Sequence, residues 1–244
     1  MIKKIIKNIF KFFGYNVNKI TKEIEEMSIN EILTTIIPEE PIIFDIGSNK
    51  GQSIEIYKKL FVNPKIHAFE PSLQDFQILK KKYDSDNNIF LNNFALGDKK
   101  EKKIFNVMVK SDTSSFLDLN KDSNWLKHRS KELNIPSENF KKNSIEAQIN
   151  TLDNYIKLNK INKINLVKID TQGYEENILK GSLESIKNNI IDAILTEIMF
   201  DDVYDKHLSF INIEQHLIQN NFRMAGINLT NNNIFKGLVF FADV

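Results

Sequence analysis

Four acidic residues stand where carboxylates can do chemistry. Asp45, Glu70, Asp170 and Glu197 each close a short apolar run, at 42–44, 66–69, 164–169 and 190–196. Runs of this length, bounded by turn residues, are the pattern of buried parallel strands. In an open parallel sheet ligands bind outside the carboxyl ends of the strands, so four acids at one rim predict a site. Just beyond Asp45, Gly47 and Gly51 frame a tight turn into a helical pattern. Glycine has no Cβ to hold a ligand off, and a helix N-terminus favours negative charge, so such a turn suits an anionic or zwitterionic ligand. Glu70 follows the turn by about 20 residues, the spacing at which nucleotide-binding folds place the carboxylate that accepts hydrogen bonds from ribose hydroxyls.

Composition narrows the chemistry. The net charge of +1 gives no bulk attraction to nucleic acid, and only Arg129 and Arg223 among the 33 basic residues are arginines, the side chain that grips phosphates and guanine edges. With no cysteine there is no disulfide, no thiolate metal site and no cysteine nucleophile. No apolar run reaches the ~18 residues needed to cross a bilayer, and the N-terminus lacks a signal peptide's unbroken apolar stretch, so a cytoplasmic protein is expected. The 244 residues are expected to form one domain, 41–244, behind a helical extension, 1–40.

In that extension Ile2, Ile5, Ile6, Ile9, Phe12 and Phe13 recur at helical spacing, with Lys3, Lys4, Lys7 and Lys11 mainly on the other side. Residues 1–13 therefore read as a basic amphipathic helix. It would either touch an anionic membrane surface or a partner, or pack on its own domain or a second copy. A second helical stretch at about 20–37 leads to Pro38 and Pro41. Strands then alternate with helices: strand 42–46, helix 52–60, strand 65–69, a helix ending near Tyr83, and strand 89–92. This alternation predicts an α/β fold with a mostly parallel sheet covered on both faces. Residues 102–109 read as an edge strand flanked by lysines. The polar stretch 111–143, with Thr113-Ser114-Ser115, Trp125, His128 and Arg129, breaks the rhythm as a lid, a substrate loop or a plain surface excursion. Strand 146–150, a helix capped by Thr151, strand 164–169, helix 174–187 and strand 190–196 follow. After a helix at 210–220, strands 222–227 and 237–242 are joined by an Asn- and Thr-rich turn and should pair as an antiparallel hairpin at one edge.

Phe44-Asp45-Ile46-Gly47-Ser48-Asn49-Lys50-Gly51, Phe69-Glu70-Pro71, Asn93-Phe94-Ala95-Leu96-Gly97-Asp98, Thr113-Ser114-Ser115, Thr151-Leu152-Asp153 and Lys168-Ile169-Asp170-Thr171-Gln172-Gly173-Tyr174-Glu175 resemble, in order, the motifs of the FkbM family of S-adenosylmethionine-dependent methyltransferases. The resemblance covers roughly 40–244. It implies the Rossmann-like, seven-stranded sheet of class I methyltransferases with an antiparallel C-terminal hairpin. It also implies S-adenosyl-L-methionine as cofactor and methyl transfer to a hydroxyl, often on a sugar of a glycoconjugate or a secondary metabolite.

By the same resemblance the loop Gly47, Ser48, Asn49 and Gly51 would pass against the methionine part of the cofactor, with Asp45 near its ammonium. Glu70 would take the ribose diol, with Pro71 beside it, and Asn93, Ala95 and Asp98 would lie on the adenine side. Asp170 would face the methyl donor and the acceptor. Where the family pattern reads Val-Glu, this chain has Thr171-Gln172, one carboxylate fewer. An alcohol needs a general base, and Asp170, Glu197, His128 and His207 are the candidates, with Asp170 favoured by position and anchoring as its alternative role. His67 and His216 read as structural. Nothing in the spacing demands a metal, and the expected acceptor is a glycan or small molecule rather than nucleic acid. A nicotinamide oxidoreductase fits poorly because the turn lacks a third glycine, while a silent cofactor-binding module stays open.

Overall fold

The computed structural model describes residues 28–199, 202–205, 210–229 and 235–242. The helix α1 (Ile29–Ile36) opens on a capping box: Ser28 Oγ accepts from Glu31 N while the Glu31 carboxylate accepts from Ser28 N. Residues 1–13 lie outside the described part. Next come β1 (Ile42–Ile46), α2 (Gln52–Leu60), β2 (Lys65–Phe69), α3 (Leu73–Tyr83) and β3 (Ile89–Asn92). After β4 (Ala95–Leu96) and β5 (Glu101–Met108), the insertion carries two 3-10 turns, Ser111–Thr113 and Ser137–Asn139, and the helix α4 (Asn124–Leu133) between them. The chain continues with β6 (Lys141–Asn150), α5 (Leu152–Asn159), β7 (Leu166–Ile169), α6 (Glu175–Lys180), α7 (Leu183–Lys187), β8 (Ala193–Met199), α8 (Phe210–Ile218), β9 (Phe222–Leu229) and β10 (Phe235–Ala242).

The main sheet has the order β3-β2-β1-β7-β8-β10-β9. Its first five strands are parallel, and β10 runs antiparallel to both β8 and β9. The expected hairpin is present, with β9 at the edge. Because side chains alternate across a strand, the sheet builds two cores. Phe44, Ile46, Phe69, Val167, Ile169 and Ile194 face one side, and Ile43, Ile66, Ala68, Leu166 and Ala193 face the other. Full burial of each large apolar side chain contributes about 1.5–3 kcal/mol. The helix α1 covers the second face, packing so closely on β9 that a Cβ on Gly226 would lie 2.4 Å from Ile32 Cδ1.

Several expectations change. Strands β4, β5 and β6 form a separate three-stranded sheet, order β4-β6-β5, instead of extending the main one. The stretch 111–143 is largely structured: Trp125 and Leu126 seat α4 on Phe140, Met199, Val203 and Tyr204. The single helix expected at 174–187 is broken at Gly181-Ser182, where Gly181 meets the Gly97 carbonyl so closely that a Cβ would lie 1.9 Å from it.

Candidate active site

Strand register brings the acids together. Ile46 pairs with Phe69 and Ile169, and Ile169 with Thr196. The next residues, Gly47, Glu70, Asp170 and Glu197, therefore form a row along the carboxyl rim. Asp45 lies one residue short of that row, inside β1, and Glu197 lies inside β8, which runs on to Met199. Neither stands at a strand end, where the apolar runs had placed it.

The glycine turn is locked between two strands. Gly47 N and Ser48 N both donate to Phe69 O at 3.1 Å. Buried Ser48 donates through Oγ to Asp45 O (2.7 Å) and accepts from Phe69 N (3.1 Å). Gly47 has φ +79°, and a Cβ there would lie 1.9 Å from Asp170 O, so only glycine fits. Gly51, at φ +88°, opens α2 against the Tyr83 ring.

Beside the turn, Glu70 is held by two backbone donors, Asn49 N to Oε2 (2.9 Å) and Ser72 N to Oε1 (2.8 Å). Burial, opposed by these bonds and helped by the charge of Asp75, pushes its pKa up to about 7. Asn93 supports the turn from behind, donating to Glu70 O at 2.9 Å.

On the other flank Lys168, paired in register with Asp45, is the buried cation of the site. Its Nζ lies 3.2 Å from Asp45 Oδ1 and 3.4 Å from Asp170 Oδ2, and donates to Gly47 O at 3.0 Å. Burial works against its charge, yet the carboxylates of Asp45 and Asp170 outweigh it and hold its pKa above the usual lysine value. Asp170 keeps two-fifths of its side chain exposed. Its Oδ1 accepts from Gln172 Nε2 at 2.9 Å, and the same nitrogen donates to Glu197 Oε2 at 2.7 Å. Burial first, then the charges of Asp170 and Glu175, push the Glu197 carboxyl well above the ordinary carboxylate range. Burial also raises Glu175, which accepts from Thr171 N, Thr171 Oγ1 and Gly173 N.

Glu70, Lys168, Asp170 and Gln172 border a cavity of about 250 Å³. Of the residues expected to bind cofactor, Gly47, Ser48, Asn49, Glu70, Pro71, Ala95 and Asp170 line it. Asp45 does not, because Lys168 stands between it and the cavity. Gly51 shapes the loop, Asn93 braces Glu70, and exposed Asp98 accepts from Asn177 Nδ2 at 3.3 Å; none of these lines the cavity either. Glu197 reaches it only through Gln172. His207 lies outside the described residues, and His128 is exposed on α4 against Glu132. His67 is buried against Tyr155 with its pKa lowered to about 4 by burial, and His216 pairs with Glu176.

Sequence reasoning missed Lys168, whose signal was a lone cation inside the apolar run 164–169. It also missed the aromatic wall of Phe105 on β5, Phe116 in the insertion and Tyr174 just ahead of α6, which pack together beside the cavity. The insertion closes one side. Asn49 Nδ2 donates to Ser111 Oγ (3.1 Å), Ser115 Oγ donates to Gln172 O (2.7 Å), and Tyr204 OH donates to Thr113 O (2.6 Å).

The profile described as Methyltransferase FkbM domain matches residues 45–224. Among curated proteins, none matches this sequence. Solved structures similar to this chain include a putative S-adenosylmethionine-dependent methyltransferase from Listeria monocytogenes, 8% identical with a TM-score of 0.46, the match covering 87% of this chain and 97% of that one. An rRNA methylase from Streptococcus thermophilus is 10% identical with a TM-score of 0.48, covering 87% and 93%. A putative tRNA (m1A22) methyltransferase from Streptococcus pneumoniae, in complex with S-adenosyl-L-methionine, is 12% identical with a TM-score of 0.47, covering 87% and 71%. The profile spans most of the chain and takes in the glycine turn, Glu70 and Asp170: this protein belongs to the FkbM methyltransferase family and is an S-adenosyl-L-methionine-dependent methyltransferase.

Proposed function

We propose that the protein transfers a methyl group to a hydroxyl, on a sugar ring of a glycan or glycoconjugate. The observation that carries this reading is the rim row itself: Gly47, Glu70 and Asp170 border one cavity, with a partly exposed carboxylate at one end and an aromatic wall beside it.

The residues fit the cofactor. A side chain at Gly47 would fill the turn, and each oxygen of the buried Glu70 carboxylate accepts from one backbone N–H, which leaves lone pairs for further donors such as ribose hydroxyls. Gly47, Ser48 and Asn49 would hold the amino-acid part and Glu70 the ribose, with Pro71 and Ala95 against the base. When bound, S-adenosyl-L-methionine supplies an electrophilic methyl group.

The chain's own residues do the rest. Asp170, exposed to the cavity and gripped from behind by Lys168 and Gln172, accepts the proton of the acceptor hydroxyl. Holding acceptor and donor in line supplies most of the acceleration, and rigid strand ends are suited to such alignment. Phe105, Phe116 and Tyr174 offer ring faces on which the apolar side of a pyranose can rest, which supports a sugar acceptor. With no cysteine in the chain, a cysteine-dependent base methylation is excluded. No helix among the described residues is long and apolar enough to cross a membrane. The reading puts the transfer in the cytoplasm, on glycan precursors.

The test is transfer of radiolabelled methyl from S-adenosyl-L-methionine to a panel of neutral and charged glycosides. Methylated sugar that disappears in Asp170→Asn supports the reading. Cofactor binding with no transfer to any glycoside would refute it.

A further inference from the structure

One residue at the site is held more tightly than its neighbours require. Gln172 adopts a left-handed backbone, φ +58°, that costs a non-glycine residue energy, and it is 7% exposed. Both amide N–H groups of its side chain are used. Nε2 donates to Asp170 Oδ1 (2.9 Å) and to Glu197 Oε2 (2.7 Å), and Oε1 lies 3.2 Å from Tyr204 OH. Its main-chain oxygen accepts from Ser115 Oγ. The Thr113-Ser114-Ser115 stretch thereby acquires a role, since Ser115 and, through Tyr204, Thr113 fix the backbone and amide of Gln172.

Two carboxyl groups aimed at one point from adjacent strands ordinarily need a cation or a shared proton between them. Here the point is filled by an uncharged amide nitrogen whose two N–H groups match the two oxygens. We propose that Gln172 is a positioning residue whose amide takes the place of a bridging divalent cation between Asp170 and Glu197, aiming Asp170 at the cavity without a metal. The aim of Asp170 at an acceptor rests on the function proposed above; the metal-free bridge does not. Among the described residues, the charged and titratable groups around it are Asp170, Glu197, Glu175, Lys168 and Tyr204, with Asp45 behind Lys168 and Asp112 near Tyr204. Lys168 neutralises one carboxylate of this group, and burial, followed by the charges of Asp170 and Glu175, raises the pKa of the Glu197 carboxyl.

The inference is tested on the full chain with Mn²⁺ alone as probe, by electron paramagnetic resonance at pH 8. The wild type should bind no stoichiometric Mn²⁺. Gln172→Glu, which puts an oxygen anion where the N–H groups were, should bind one Mn²⁺ per chain at least tenfold more tightly than any site in the wild type. Gln172→Met, near in size and without donors, should bind none, and should lower methyl transfer at least tenfold with the KM for cofactor changed less than threefold. Stoichiometric Mn²⁺ in the wild type, or stimulation of its transfer by Mn²⁺, would overturn the proposal. So would a folded Gln172→Glu that takes up no Mn²⁺, or a fully active Gln172→Met. Should Gln172→Glu fail to fold, the wild-type and Gln172→Met arms decide alone. The Mn²⁺ arm needs no acceptor: its failure leaves the methyl-transfer reading standing, and a wild type that transfers to no glycoside leaves the Mn²⁺ result readable.

Discussion

If Glu70 holds the ribose as proposed, the affinity for cofactor should depend on pH. Its carboxyl is buried and titrates at about 7, because burial outweighs the two backbone N–H groups that favour its charge. The ribose diol offers two donors, and a protonated carboxyl can no longer accept both as an anion does. About a tenth of Glu70 is ionised at pH 6 and about nine tenths at pH 8, so the Kd for S-adenosylhomocysteine should rise about tenfold on acidification, or about 1.4 kcal/mol. The ligand-free protein should respond in the opposite sense. An acid whose folded pKa is raised stabilises the fold fully below its unfolded value, about 4.5, and this contribution of about 3 kcal/mol is lost as pH rises through about 7. Calorimetric titration at three pH values, paired with thermal melts of the free protein, reads both effects. Glu70→Gln should flatten both dependences and weaken binding at pH 8 by about 1.5–3 kcal/mol. A wild-type Kd that does not change between pH 6 and 8, or an equal slope in Glu70→Gln, would refute the reasoning.

Gly47→Ala should destabilise the protein by about 3 kcal/mol, read by urea unfolding, because its Cβ would overlap the Asp170 carbonyl at 1.9 Å and its φ is +79°; an unchanged midpoint would contradict the locked turn. Lys168→Met leaves Asp45 buried and unpaired and should cost about 3–5 kcal/mol, with Asp45→Asn/Lys168→Met recovering most of it; equal losses in the single and double variants would deny the ion pair. Asp170→Asn should lower the rate of methyl transfer at least about a hundredfold while the Kd for S-adenosylhomocysteine stays within about threefold, the pattern of a general base. Equal losses in both would make it an anchor.

Much of this was legible in the sequence, for physical reasons. The strands 42–46, 65–69 and 89–92 and the helix 52–60 have the expected bounds, because strands buried on both faces read as short apolar runs between turn residues. The glycine turn and Glu70 were legible because close backbone approach and a strand-end acid leave marks at fixed spacing. Pairing was not. Nothing within 102–109 says that its partner is β6 rather than the main sheet, and its lysines fit either edge. The extension of β8 past Glu197 is set by β10, whose partner Phe235 reaches Met199. Lys168 passed unread because one cation inside an apolar run looks like an interruption until register places Asp45 across from it. Gln172 read as a missing carboxylate, since a hydrogen bond to two strands has no local signature.

The central claim is that the rim of the parallel sheet holds the nucleoside by Glu70 and presents its reactive end to Asp170. A crystal structure with S-adenosylhomocysteine tests it most directly. The account predicts both ribose hydroxyls within hydrogen-bonding distance of the Glu70 carboxylate, the amino-acid part along Gly47 to Asn49, and the sulfur facing Asp170. Ligand density away from this cavity, or a ribose turned from Glu70 with the sulfur remote from Asp170, would contradict it.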